Sequence, residues 1–330
     1  MKSKDEASII KEESNKNKIK DYLKLIRSKF ILKQIFKNLQ RKKLLQIIRY
    51  NKNYQKDLKL TFYDFREFTT KYSDIEIEVI PIENKCGKFI NIIKKSDKAY
   101  FNIFFNNDKK IKKCNTLNKL DKVEKIKIII KYQVTSFEEL FKDCECVESI
   151  TFKKFYRNNI TDMSYMFSGC ISLKELNLDS FNTKHVTNMN HMFDNCLLLK
   201  ELNLSKFRTK NVTDMSFMFY KCNCLNELNI NNFDTRIVDN MNFMFDGCSS
   251  LKELNLSNFN TANVTCMIGM FSGCLSLKEL NISNFNKNSV IKIQDMFTSC
   301  SLLEKLILPP GFTELIEFKI PKKDENNNNL

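Results

Sequence analysis

Apolar positions in the second half of the chain recur with a fixed step. Cys144, Cys170, Cys196, Cys222, Cys248, Cys274 and Cys300 stand at every twenty-sixth position, with no insertion between them. Three further columns keep the same step, running from Val147 to Leu303, from Ile150 to Leu306 and from Phe152 to Leu308, and in most units they spell L-x-x-L-x-L, as in LKELNL. The alternation of Leu176, Asn177 and Leu178 has the two-residue period of a strand with one buried face. The rest of the unit keeps another period. Met189, Met192, Phe193 and Cys196 fall at i, i+3, i+4 and i+7, the spacing of one face of a short helix. Just ahead of them, Thr135, Thr161, Thr187, Thr213, Asp239 and Thr265 offer oxygens suited to capping a helix start. Gly169, Gly247 and Gly273 stand where a helix can end through a left-handed residue. The pattern predicts a strand, a loop with a buried Phe and Val (Phe181 and Val186), and one or two helical turns in each unit.

Such a unit cannot bury its apolar face alone, so copies must stack until a continuous core forms. The expected fold is an α/β solenoid of about seven coils over residues 133–308, extending about 30 Å at strand spacing. A C-terminal cap is expected over 309–320, within LILPPGFTELIEFKI, and a disordered polar tail over 321–330.

Residues 1–132 read differently. Residues 1–20 are polar and charged, and a disordered tail is expected there. From Asp21, apolar residues such as Leu23, Ile26, Phe30, Ile35, Leu39, Leu44 and Ile48 recur at helical spacings and predict two or three amphipathic helices. DIEIEVIPI, KFINII, AYFNIFF and VEKIKIIIKY then alternate as strands of a small sheet that ends against the first coil.

Charge sharpens this division. The net charge of +15 arises from residues 1–132, which hold 34 Lys and Arg against 16 Asp and Glu, whereas 133–330 hold 20 against 23. The basic clusters at Arg41 to Lys43 and Lys109 to Lys113 suit nucleic acid or anionic lipid, but no recognised nucleic-acid motif accompanies them, and a solvated face is the favoured reading. No apolar run is long enough to span a bilayer and the start lacks the apolar segment of a secretory signal, so a cytoplasmic protein is expected. The twelve cysteines are then reduced thiols rather than a disulfide framework.

A catalytic cysteine needs a base within hydrogen-bond reach. The two histidines, His185 and His191, occupy columns otherwise filled by Asn211, Ile237, Asn263 and Ser289, and by Tyr165, Phe217, Phe243 and Gly269, which reads as drift on outer or loop positions. The cysteine is therefore expected to pack as a small apolar group, with no enzyme activity, cofactor or metal. If the leucines point inward, Glu175, Asn177, Glu201, Asn203, Glu227, Asn229, Glu253, Asn255, Glu279 and Asn281 point outward as two columns. One reading makes them a concave face that binds a basic or amide-rich protein surface; the other makes them a by-product of repetition, with asparagines bonding from coil to coil. Lys174, Lys200, Lys252 and Lys278 are placed to offset the glutamates.

The unit M-F-x-x-C-x-x-L-x-x-L-x-L-x-x-F-x-T-x-x-V-T-x-M, repeated over about 135–308, resembles the BspA-like branch of the leucine-rich repeat family. The resemblance implies a parallel strand ladder on one side of a curved solenoid, and its members include surface adhesins as well as intracellular proteins. Residues 31–51, with the pattern Phe30-Ile-Leu-x-x-Ile-Phe-x-x-Leu, faintly resemble an F-box, which would imply an adaptor that docks onto a ubiquitin ligase. The function expected is a non-enzymatic protein-binding scaffold, with the ligase adaptor and the surface adhesin as alternatives.

Overall fold

The computed structural model describes residues 73–106 and 108–313, together with Gln55, Lys56, Arg66, Thr70 and Tyr72. The chain divides between Tyr72 and Ser73, and the described strands and coils belong to the second unit. The helices expected over 21–51, the F-box-like segment, the two polar tails and residues 314–320 of the cap lie outside the described residues.

Three of the four expected strand segments form: β1 (Ile75–Pro81), β3 (Phe101–Phe105) and β5 (Ile126–Ile130), with a short β2 (Gly87–Lys88) pairing β4 (Thr116–Leu117). In β1, Ile75, Ile77, Val79 and Pro81 face the core, and Ile126, Ile128 and Ile130 do so in β5. KFINII is not a strand beyond Lys88. The Phe89 amide bonds to Asn115 and that of Asn91 to Leu140, so Phe89 and Ile90 fill the core as a crossing segment. On the outer face Glu76 meets Lys127 at 2.9 Å and Glu78 meets Lys125 at 2.6 Å. The hydrogen bond from Lys127 holds the Glu76 carboxyl below its ordinary range.

This sheet joins the repeats directly. Its order is β3-β5-β1-β6-β7, where β6 (Val147–Lys154) is the first leucine-type strand and β7 (Glu175–Asn177) the second. β1 runs antiparallel to β6, and β6 runs parallel to β7 one repeat unit on, Ser149 opposite Glu175. β8 (Glu201–Asn203) pairs with β9 (Glu227–Asn229), and β10 (Glu279–Asn281) with β11 (Lys305–Ile307), at the same register. Residues 253–255 hold their place in the column without strand pairing.

The unbroken ladder lies on the other side of the unit, where helices were expected. Among residues 73–313 the described chain contains no α-helix. In the coil that begins at Met163, the amides of Met166, Ser168 and Cys170 donate three residues back. Those of Met163, Tyr165, Phe167 and Gly169 donate instead to Asn188, Asn190, Met192 and Asp194 of the next coil. This alternation repeats down the chain, and six parallel bridges run from Ser136 through Asp162, Asn188, Asp214, Asn240 and Cys266 to Lys292. Two left-handed residues per coil make it possible: Tyr165 (φ 54°) and Gly169 (φ 72°), His191 (53°) and Asn195 (57°), Phe217 (56°) and Lys221 (52°). Each closes a four-residue turn, so the run is a pair of turns rather than a helix with bonds four residues back. Gly169, Gly247 and Gly273 do adopt the left-handed conformation, but at the end of a turn. The threonine column caps no helix: the Thr187 amide donates to the Thr161 carbonyl at 2.8 Å, and that of Thr213 to Thr187 at 3.0 Å.

Side chains stack on this frame. Phe141, Phe167, Phe193, Phe219, Phe245, Phe271 and Phe297 are wholly buried or nearly so, with successive centroids 5.5–5.8 Å apart and rings within 8° of parallel. Thr183, Thr209, Thr235 and Thr261 form a second buried column. Thr209 Oγ1 donates to the Asp234 carbonyl at 3.0 Å and accepts the Asp234 amide at 2.7 Å. One coil before Thr183 the column holds the buried Arg157, whose Nη1 donates to the carbonyls of Lys131 (3.0 Å) and Val134 (3.1 Å), joining the first coil to the segment before it. Phe312 is also buried, closing the core at the described end of the cap.

Replacing Thr209 by Val keeps the shape but leaves a buried amide and carbonyl without their partner. Thr209→Val is expected to cost about 1–3 kcal/mol in chemical denaturation. Thr187→Val, at an exposed site whose hydroxyl bond is 3.2 Å, is expected to cost less than about 0.5 kcal/mol.

Candidate interaction surface

The ten outward positions read from the sequence, Glu175 and Asn177 through Glu279 and Asn281, are all exposed. The asparagines do not bond from coil to coil through their oxygens. Asn177 Oδ1 accepts the Asp179 amide (3.0 Å), and Asn203, Asn229, Asn255 and Asn281 accept the amides of Ser205, Asn231, Ser257 and Ser283 at 3.0–3.3 Å. Each fixes the turn that leaves its own strand, an Asx turn that explains why the residue type repeats.

The glutamates are arranged otherwise than expected. The ion pairs run along columns, between coils: Lys174 with Glu148 at 2.7 Å and Lys305 with Glu279 at 2.9 Å. Lys200, Lys252 and Lys278 offset no glutamate, and Glu175, Glu201, Glu227 and Glu253 have no ion-pair partner among the described residues. Two charged columns thus run one residue apart, both exposed. The lysine column reads Glu148, Lys174, Lys200, Asn226, Lys252, Lys278, Glu304, and the glutamate column Ser149, Glu175, Glu201, Glu227, Glu253, Glu279, Lys305. Where Asn226 interrupts the lysines an open groove forms, lined by Lys200, Cys224, Asn226, Ser250, Lys252 and Ser276.

The repeating cysteines face inward and serve as hydrogen-bond donors. Cys170 Sγ lies 3.0 Å from the Phe141 carbonyl oxygen, and Cys196, Cys222, Cys248, Cys274 and Cys300 each reach the phenylalanine carbonyl of the preceding coil at 3.1–3.3 Å. The Phe167 carbonyl accepts both the Cys170 amide of its own coil and the Cys196 thiol of the next. Burial pushes the Cys170 thiol up to about 12 and that of Cys300 to about 11, and raises those of Cys196, Cys248 and Cys274 strongly. This is the reverse of an activated nucleophile.

Neither histidine faces a thiol. His185 is exposed, and His191 Nδ1 lies 2.9 Å from Asp194 Oδ2. The His191 column is not drift. Tyr165, His191, Phe217 and Phe243 stack as a half-buried ladder with centroids 4.3, 4.4 and 4.9 Å apart, and Lys142 Nζ sits 4.8 Å from the Tyr165 ring. At its far end stands Gly269, where the Phe243 ring occupies the space of a Cβ, 2.5 Å from it. The left-handed backbone projects these rings in one direction from successive coils, at a spacing that suits stacking. Planar side chains recurring in one column were the available signal. The turn oxygens were also missed: Asp162, Asn188, Asp214 and Asn240, one residue beyond Thr161, Thr187, Thr213 and Asp239, accept amides two residues on at 2.8–3.1 Å.

In-register units carrying the L-x-x-L-x-L strand and the M-F-x-x-C turn define a repeat protein of the leucine-rich, BspA-like kind. Residues 135–228 and 222–308, just over half the chain, match the family described as "Mycoplasma protein of unknown function, DUF285", and the chain belongs to that family. A leucine-rich repeat protein from Bacteroides ovatus ATCC 8483, solved by crystallography, is similar at 20% identity and a TM-score of 0.30. The match covers 57% of this chain and 43% of that one, so the chain spans less than half the length of that protein. No curated protein matches the chain. No helix among the described residues is long and apolar enough to cross a membrane.

Because the folded thiols titrate above their ordinary value of 9.0, the neutral form is the one folding favours. Their stabilisation is complete below pH 9 and is lost as the pH rises toward 12. Cys170→Ala is expected to lower stability at pH 7 by about 1–2 kcal/mol. It should then lose less than the wild type when chemical denaturation is repeated at pH 11; equal losses would contradict the assignment.

Proposed function

We propose that the chain is a non-enzymatic protein-binding scaffold of the cytoplasm, a leucine-rich repeat solenoid whose exposed strand face engages a protein partner. The observation that carries this reading is the interior of the glutamate column. Glu175, Glu201, Glu227 and Glu253 are exposed on successive coils, about 4.8 Å apart, with no counter-ion among the described residues. Like charges directly opposite one another across strands are unfavourable, and a basic or amide-rich partner surface relieves them. The thiols and histidines support the non-enzymatic part of the reading, since the repeating thiols and His191 are engaged in packing or bonding that opposes nucleophilic activation. The basic cluster at Lys109 to Lys113 lends less support to an anionic ligand, because its Lys112 meets Asp108 at 3.1 Å.

The double variant Glu227→Lys/Glu253→Lys is expected to fold as the wild type does, judged by circular dichroism and melting. It should fail to retain proteins that co-purify with the wild-type chain from its native cell. Retention of the same proteins by the double variant would reject this face as the binding site.

A further inference from the structure

We infer that the partner fitted by the charged strand face is a second copy of this chain, docked about a two-fold axis parallel to the direction in which the coils stack. This deepens the reading of the strand face as a protein-binding surface and rests on it.

The face carries no single sign of charge. It carries two adjacent stripes, positive at Lys174, Lys200, Lys252 and Lys278, and negative at Glu175, Glu201, Glu227, Glu253 and Glu279. At the ends of the stack the chain neutralises itself along each stripe, through Glu148 with Lys174 and Lys305 with Glu279. In the interior it does not: Lys200 and Lys252, and Glu201, Glu227 and Glu253, have only like-charged or neutral neighbours along their stripes. A uniformly basic partner meets the glutamates but is repelled by the lysines, and a uniformly acidic one meets the reverse. The complement of the whole face is a surface with the same two stripes in mirrored order.

A second copy presents that surface. Rotation about an axis parallel to the stack exchanges left and right but keeps the order of the coils. The lysine stripe of each copy then falls on the glutamate stripe of the other, coil for coil, and the contact closes as an isologous dimer. Rotation about the perpendicular axis in the same plane sets lysine on lysine, so the stripes select one orientation as well as one partner. The break in the stripe fits this arrangement. At the one interior coil where lysine gives way to Asn226, the groove between Lys200 and Lys252 faces Glu227 of the second copy. The Asn226 amide and the hydroxyls of Ser250 and Ser276 are available there as donors.

The test uses three forms of the full chain, at low and high salt, by sedimentation or light scattering. The wild type is expected to have twice the chain mass at low salt and to shift toward the monomer at high salt, because exposed ion pairs are screened. A variant with Lys200→Glu and Lys252→Glu, and another with Glu201→Lys and Glu253→Lys, each set like charge on like charge and should be monomeric alone. Mixed, they should form a one-to-one dimer, since at those coils a negative face then meets a positive one. The exposed positions leave folding intact, checked by circular dichroism. A wild-type dimer that persists in either variant alone, or a mixture that stays monomeric, overturns the inference. A wild type that is monomeric but loses a co-purifying protein when the face is reversed overturns self-association while upholding the strand face as a binding site.

Discussion

The structure depends on one recurring constraint: in the turn half of each unit, alternate backbone amides point along the stack and must meet a carbonyl of the next coil. Such bonds, as from Met163, Tyr165, Phe167 and Gly169, fix the register at one whole unit and forbid an insertion or deletion in any single coil. The invariant step of the cysteines follows from that. So do the stacked phenylalanines, the buried threonine column and the thiol bonds to Phe carbonyls, each of which requires the same residue at the same height in successive coils. Left-handed backbone at residues such as Tyr165, Phe217 and Lys221 is ordinarily unfavourable, and it persists here because the surrounding bonds determine it.

The repeat, its length and its inward residues were legible because burial and periodicity are both written in side-chain type. Cys170, Leu173, Phe181 and Val186 are buried as the pattern requires. The helix was a misreading with a definite cause. Inward residues at i, i+3, i+4 and i+7 are what one face of a helix shows, and equally what two consecutive four-residue turns show when each turns one corner inward. Helix and turn pair differ in backbone sign at positions such as Tyr165 and Phe217, where neither residue type announces a left-handed conformation. The asparagine and aspartate columns could have decided the matter, since one turn-fixing oxygen per coil beside the threonines is more than a helix start needs.

The surface inherits its character from the interior. A step that cannot vary aligns every outward position into a column, and a column of one residue type becomes a stripe of charge or a ladder of rings. The stripes are marked by the places where repetition is broken. Glu148 and Lys305 invert the two stripes at the ends, and Asn226 interrupts one in the middle. The outward orientation of Glu175 and its equivalents was legible from strand alternation. Their lack of counter-ions was not, because the pairing of long exposed side chains depends on which coil each reaches, as Lys174 shows by bonding along its own column.

The repeating cysteine is, at the centre of all this, a packing and hydrogen-bonding group held by the coil register. Thiol labelling of the native full-length chain, followed by mass spectrometry as denaturant is raised, tests that role most directly. Exposed Cys86 should be modified at once, whereas Cys170, Cys196, Cys222, Cys248 and Cys274 should stay unmodified until unfolding and then react together. Native labelling of any one of those buried thiols at the rate of Cys86 would contradict it.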